Sequence, residues 1–138
     1  YGRQHNHQFV IESMIYQMYN GKSPIKLGDP TPVRDFIFEP DLLAAYKIAA
    51  LSNNKKIIGE SINVGTGKSI SIRQLAEKIR KITGYKGKIQ WHSFPKRALE
   101  IPKLEVDNSK AKRLLKWKPA VTLDKGLKIT ASYYNNRK

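Results

Sequence analysis

The chain has 138 residues, and its 26 lysines and arginines against 11 aspartates and glutamates give a formal net charge of +15 at pH 7. This length suits a single domain, and a hydrophobic content of 40% excludes a disordered chain. The absence of cysteine excludes disulfides and thiolate metal sites and fits a reducing, cytoplasmic environment. No apolar run approaches the roughly 18 residues of a membrane span. The positive charge favours anionic partners, either nucleic acid or a phosphorylated small molecule.

The first half of the sequence predicts two helices with two short strands between them. Apolar residues recur at helical spacing over residues 10–18, and residues 25–27 predict a strand. A proline-rich turn follows, and residues 34–38 predict a second strand. We expect Asp41 to cap the next helix, which closes at residues 52–54.

The second half continues the alternation of strands and helices. Residues 61–64 predict a strand that enters the turn at Gly65 and Gly67, and Ser71 with Gln74 forms a capping box for a helix that ends at Gly84. Residues 88–92 predict a strand, residues 95–102 an irregular loop and residues 107–115 a short helix. Thr122 is expected to cap the last helix. The order of elements indicates an α/β or α+β fold in one domain over residues 1–138.

The stretch Gly67-Lys68-Ser69 ends like a phosphate-binding Walker loop, but the preceding positions do not fit. Such a loop needs a glycine five residues before its last glycine, and this chain has Ile62 there, inside the predicted strand. A dinucleotide-binding fingerprint fails as well, because its third glycine position is Ile70. The two glycines are therefore interpreted as a tight turn between a strand and a helix.

The residues predict no catalytic or metal-binding set. His5 and His7 have no carboxylate or cysteine close in sequence that would complete a metal shell. Glu39 and Asp41 would form an acid–base pair, but Asp41 is better used as the helix cap. No nucleophile elbow or Ser/His/Asp set is visible.

Two arginines beside predicted strands are the candidate binding residues. Arg34 follows the proline-rich turn, and Arg97 lies in the loop "PKRALE". A guanidinium can donate a fork of hydrogen bonds to a diphosphate. The alternative for Arg34 is an ion pair with Asp35 or Asp29, and the alternative for Arg97 is a solvated loop. Spacing alone leaves both alternatives open.

Four segments in register resemble the extended short-chain dehydrogenase/reductase family, in particular the C-terminal part of its nucleotide-sugar epimerases and 4,6-dehydratases. The resemblance covers nearly the whole chain, and the opening Tyr1-Gly2, without an initiator methionine, resembles the end of that family's "NVYG" strand, as expected of a fragment. Within the family the pattern is most similar to GDP-mannose 4,6-dehydratases. The segments are "PIKLGDPTPVRDFIFEPDLLAAY", "INVGTGKSISIRQLAEKI", "KRALEIPKLEVDNSKAKRLLKWKP" and "LDKGLKITASYY".

The resemblance implies roles for residues at matching positions. Arg34 and Arg97 would contact the diphosphate of a nucleotide-sugar, and Glu100 would accept hydrogen bonds from the ribose hydroxyls. Gln8 stands at a further substrate-binding position, where the dehydratases carry asparagine. Lys116 replaces the glycine of the family's "LGWKP" segment, a change that affects the turn.

The family's Gly-rich cofactor loop and its Tyr-x-x-x-Lys pair belong to the N-terminal half, so no catalytic residue is predicted here. Only Tyr134 and Lys138 have the spacing of that pair, and they lie at the end of a predicted helix. The resemblance therefore implies the substrate-binding half of an NAD- or NADP-dependent 4,6-dehydratase or epimerase, in which the cofactor takes a hydride from C4 of the hexose. This half is expected to bind no cofactor and to be inactive alone, and the whole enzyme is expected to be a homo-oligomer.

Two rival hypotheses follow from other features. The charge of +15 would suit a basic nucleic-acid-binding module, but the sequence has no basic helix, zinc finger or RNP motif, and the aromatics Phe36, Phe38, Tyr46 and Trp117 fall at core-like positions. A purely structural or assembly fragment is the third possibility. In the family the helix after the Arg-Asp-Phe motif packs towards the cofactor domain, so we also expect this chain to expose an apolar face there.

Overall fold

The computed structural model describes residues 1–2, 9–95 and 98–135. Its α-helices within these ranges are Val10–Tyr19 (α1), Glu39–Ala50 (α2), Ile72–Thr83 (α3) and Leu123–Asn135 (α4). The strands are Ile25–Lys26 (β1), Val33–Asp35 (β2), Ser69–Ser71 (β3), Ile89–Gln90 (β4) and Lys103–Leu104 (β5). A short 3₁₀ turn covers Lys55–Ile57, and a π-helical segment covers Ala111–Leu115. This mixture of helices and small sheets confirms the predicted α+β class.

The strands form two small sheets. In the first sheet, β1 and β4 are parallel, with Ile25 opposite Ile89. In the second sheet, β2 lies in the middle, antiparallel to β3 and parallel to β5. Arg34 is therefore flanked by Ile70 on one side and Leu104 on the other. This central position fixes the backbone of the predicted binding arginine from both sides.

The main core lies between α1, α3 and α4, as the helical periodicity predicts. The predicted capping box of α3 is present, since Ser71 and Gln74 satisfy each other's backbone N–H groups, and Gly84 ends the helix in the left-handed conformation. A second, smaller cluster joins α2 to the π-helical segment. The fully buried side chains of the main core include Ile11, Met14, Ile15, Ile25, Leu75, Ile79 and Leu127.

The prediction that Asp41 caps α2 is wrong. The helix begins at Glu39, after Phe38, and Pro40 occupies its first turn, where the missing N–H of proline costs nothing. Asp41 is instead buried inside the helix, and its two carboxylate oxygens accept the N–H groups of Ala120 and Val121 at 3.1 and 3.0 Å. Its side chain therefore anchors the segment that leads into α4.

Four other sequence predictions differ from the structure. The strand predicted over residues 34–38 is Val33–Asp35. Residues 61–64 form no strand, and the predicted strand at residues 88–92 shortens to Ile89–Gln90. Strands β3 and β5 were not predicted, because two or three residues carry too little periodicity and owe their conformation to their neighbour β2. The predicted helix 107–115 is largely the π-helical segment, and it ends at Lys116 with φ of 54°. That backbone conformation favours glycine, the residue that the family resemblance implies at this position.

Candidate functional site

Arg34 and Glu100 form an ion pair beside β2, the central strand of the three-stranded sheet. The Nη2 of Arg34 donates to Oε1 of Glu100, and its Nη1 donates to the carbonyl of Val33 at 2.8 Å. The two side chains are 22% and 21% exposed, so that solvent reaches the pair but does not surround it. The alternative that Arg34 pairs with Asp35 is wrong, because Asp35 accepts hydrogen bonds from the Gly-rich turn at residues 65–67.

The sheet register brings Glu100 to Arg34 across 66 residues of chain. Strand β5 runs parallel to β2 with Leu104 opposite Arg34, and the N–H of Val33 donates to the carbonyl of Pro102 at 2.8 Å. The loop that precedes β5 must therefore pass beside the Arg34 side chain. Two residues to which the sequence assigned roles at one ligand are thus neighbours, although strand β5 itself was not predicted.

The other two predicted substrate-binding residues, Gln8 and Arg97, lie outside the described residues. Their proposed contacts with a nucleotide-sugar stay predictions. The described turn after Arg97 carries Leu99, which is 93% exposed. The structure therefore brings together Arg34 and Glu100 from the predicted set.

Asp35 holds the Gly-rich turn, a role that the sequence analysis missed. One carboxylate oxygen accepts from the N–H of Thr66 at 3.1 Å and from its hydroxyl, and the other accepts from the N–H of Gly67 at 2.8 Å. Asn108 donates to the carbonyl of Gly65 at 2.8 Å from a buried position. An aspartate next to the candidate arginine and a Gly-x-Gly turn just before a neighbouring strand were the available signals for this contact.

The same contacts show that the Gly-rich turn does not fit a phosphate or a dinucleotide cofactor. The N–H groups of Thr66 and Gly67, which would have to face a pyrophosphate, already bind Asp35. Gly65 is closed off by Val106, since a Cβ on that glycine would lie 2.6 Å from the Cβ of Val106. The glycines serve close packing of the chain, in agreement with the rejection of a Walker loop.

Replacing Asp35 by alanine is expected to lower the free energy of unfolding by about 2–3 kcal/mol, because backbone and hydroxyl donors of the turn lose a charged acceptor. Chemical denaturation followed by circular dichroism measures this difference. Asp124→Ala is the control, since Asp124 is 59% exposed in its pair with Lys78 and should change stability by less than about 1 kcal/mol. Equal effects of the two substitutions would contradict the role of Asp35.

Glu105 lies beside the same sheet and is the acidic neighbour with a perturbed pKa. It accepts from the N–H of Ser69 at 3.2 Å and from the Ser69 hydroxyl, and Lys103 Nζ lies 3.3 Å from its other oxygen. These hydrogen bonds, the one from the Ser69 hydroxyl first, lower the pKa of the Glu105 carboxyl. Glu105 therefore ties β3 to β5 across the end of the sheet.

The part of the chain that the structure describes holds neither a cluster of metal-binding side chains nor a membrane-spanning helix. There, no group of three or more histidine, aspartate or glutamate side chains has the arrangement of a metal site. None of the helices in the described ranges combines the length and the apolar character needed to cross a bilayer.

Of the aromatics expected in the core, Phe38 and Trp117 are buried and Phe36 packs against it, but Tyr46 is 67% exposed, so that its assignment was wrong.

Comparison with known proteins identifies the family. The family model described as GDP-mannose 4,6 dehydratase matches residues 1–130. A UDP-glucuronate 4-epimerase from Thermodesulfobacterium geofontis is 36% identical over 96% of this chain. The crystal structure of UDP-glucuronic acid 4-epimerase from Bacillus cereus, in complex with UDP-glucuronic acid and NAD, is 31% identical over 100% of this chain, with a TM-score of 0.84. That of UDP-glucose 4-epimerase with UDP-glucose from Thermotoga maritima is 29% identical over 98% of this chain, also with a TM-score of 0.84.

The chain is shorter than these proteins. It spans 40% of the Thermodesulfobacterium epimerase and 43% and 42% of the two crystallised chains. The matched fold nevertheless includes both small sheets and all the described helices, since coverage of this chain is nearly complete. The chain therefore belongs to the GDP-mannose 4,6-dehydratase family of extended short-chain dehydrogenases/reductases, which confirms the resemblance seen in the sequence.

Proposed function

We propose that this chain is the nucleotide-sugar-binding part of an NAD- or NADP-dependent 4,6-dehydratase or epimerase. The observation that carries the proposal is the meeting of Arg34 and Glu100 beside the central strand β2. The two residues come from segments 66 positions apart and supply the two groups that a nucleoside diphosphate requires. Relatives that bind UDP-sugars, together with a family model named for GDP-mannose, support this class of ligand and leave the base open.

The chemistry of each residue is specific. The Arg34 guanidinium is permanently charged and planar, and its N–H groups can donate to two oxygens of a diphosphate. The Glu100 carboxylate only accepts, so that it suits the hydroxyl groups of a ribose. Arg97, in the loop before Glu100, is proposed as a second contact to the diphosphate and Gln8 as a contact to the sugar.

The described residues bind and orient a substrate in this proposal and do not carry out the reaction. The single Gly-x-Gly turn is closed by Asp35 and Val106, so that it offers no cradle for a dinucleotide. We assign the cofactor and the proton-transfer groups to a further, N-terminal part of the enzyme. A size of about two fifths of the relatives supports that division.

Replacing Arg34 by alanine is expected to weaken binding of the nucleoside diphosphate by about 1.5–3 kcal/mol, since a charge-assisted fork of hydrogen bonds is lost. Arg97→Ala should have an effect of the same size, and Arg34→Lys should restore part of the affinity because a point charge cannot form the fork. Isothermal titration of the chain with UDP and with GDP, at one fixed ionic strength, measures these differences.

The matched control is Arg113→Ala, which removes the same charge from an exposed position on the π-helical segment. It should change the affinity only slightly, through the net charge. Unchanged affinity in Arg34→Ala would show that Arg34 serves only as the ion-pair partner of Glu100. That result would remove the main support of the proposed function.

A further inference from the structure

Glu100 pairs with the guanidinium of Arg34, the group to which the proposed function assigns the diphosphate. Because the two side chains are in direct contact, an anion that reaches Arg34 also comes close to the Glu100 carboxylate. Their exposed fractions of 22% and 21% mean that bulk water screens this repulsion less than on the open surface. An anion therefore meets both an attractive and a repulsive group at this site.

This pair differs from the other ion pairs between described residues. In those pairs the side chains are 34% to 59% exposed, as for Lys78 with Asp124 and Lys110 with Glu60. Exposed pairs of this kind are well hydrated and contribute little. The Arg34–Glu100 pair is the most sheltered of them, so that separating its partners carries a larger electrostatic cost.

We infer that Glu100 makes this site selective for a nucleoside diphosphate over inorganic pyrophosphate, an inference that rests on the proposed function. A pyrophosphate that binds Arg34 leaves Glu100 without its cation and next to a new negative charge. A nucleoside diphosphate replaces both partners, because its phosphates accept from Arg34 while its ribose hydroxyls donate to Glu100. Only the second exchange leaves neither charged group unpaired.

Such a filter has a clear use in a chain with a charge of +15. The general field of this chain attracts every small anion, including phosphate and pyrophosphate. This general attraction does not distinguish one small anion from another. The Glu100 carboxylate beside Arg34 repels anions that offer charge alone. Ligands that also carry a diol can still bind, because their hydroxyl groups donate to that carboxylate.

The test compares Glu100→Gln with the matched control Glu60→Gln, which removes the same charge from the exposed Lys110 pair. Dissociation constants of inorganic pyrophosphate and of UDP and GDP are measured by calorimetry at one ionic strength, and thermal unfolding checks that both variants are folded. We expect Glu100→Gln to tighten pyrophosphate binding about tenfold, as removal of an adjacent like charge should. Binding of the preferred nucleotide should be unchanged or weaker, so that selectivity falls by about the same factor.

The outcomes separate the two hypotheses. Nucleotide binding with the same selectivity in Glu100→Gln as in the unaltered chain would overturn this inference and leave the proposed function standing. An equal change of selectivity in Glu60→Gln would also overturn it, because net charge would then be the cause. Failure of the unaltered chain to bind either UDP or GDP would overturn the proposed function, and this inference with it.

Discussion

The purified 138-residue chain, supplied with NAD or NADP and with a UDP- or GDP-sugar, is expected to give no turnover. Hydride transfer needs a bound cofactor and a positioned proton donor, and together they supply the chemical step. The sequence contains one Tyr-x-x-x-Lys spacing, Tyr134 to Lys138. Tyr134 packs against the core from the end of α4, and Lys138 lies outside the described residues. We therefore expect this tyrosine to serve packing.

The measurement follows nicotinamide absorbance and the sugar products by chromatography over a long incubation. The positive control is a longer enzyme of the family that contains both the cofactor loop and the Tyr-x-x-x-Lys pair, assayed under the same conditions. Turnover by this chain above the background without protein would contradict the proposal that it carries only the binding part. Loss of that turnover in Tyr134→Phe would then identify the unexpected catalytic residue.

The helices could be predicted from the sequence because their signals are local. Helix α3 shows this, since its apolar spacing, capping box and terminal glycine all lie within thirteen residues of Ser71. The start of helix α2 was predicted about one turn too late. Asp41 and Pro40 both carry signals for a helix start, and the helix begins at the position that Pro40 favours. Capping preferences did not reveal that Asp41 binds backbone N–H groups about 80 residues away.

The strands and the contacts of the site depend on distant parts of the chain. Residues 61–64 read as a strand, yet a strand requires a neighbour, and none pairs with this segment among the described residues. In contrast, Lys103–Leu104 has no strand signal of its own and becomes β5 because β2 binds it. Arg34 and Glu100 were identified by resemblance to a family, but their mutual contact follows from that register, which no local pattern specifies.

The apolar side of α2 is the other feature that the sequence predicted in outline. Within this helix, the buried residues are Asp41 and Ala45. An exposed stripe of the helix carries Leu43, Tyr46 and Ala50, which are spaced at i, i+3 and i+7. The first two are 50% and 67% exposed. Leu51, directly after the helix, is 72% exposed. The helix therefore presents one apolar side to the second cluster of the core and another to solvent.

This chain is expected to self-associate through the exposed side of α2. Neighbouring large apolar residues on one exposed face are typical of an interaction surface, and a second copy is the available partner in a solution of the chain alone. The net charge of +15 opposes association at low salt, so that the average mass should rise as salt screens the repulsion.

Light scattering coupled to size-exclusion chromatography measures the association. The series runs from low salt to about 1 M, where the Debye length is about 3 Å. The double variant Leu43→Ser with Tyr46→Ser should remain monomeric across the series, because it removes the two largest apolar groups of the stripe. Leu99→Ser is the matched control, since Leu99 is 93% exposed on the loop before β5 and should not change the mass. A monomer at every salt concentration, without binding of a dye for apolar surfaces, would show that α2 needs no partner. Equal loss of association in the control would place the contact at the loop beside Glu100 and not on the helix.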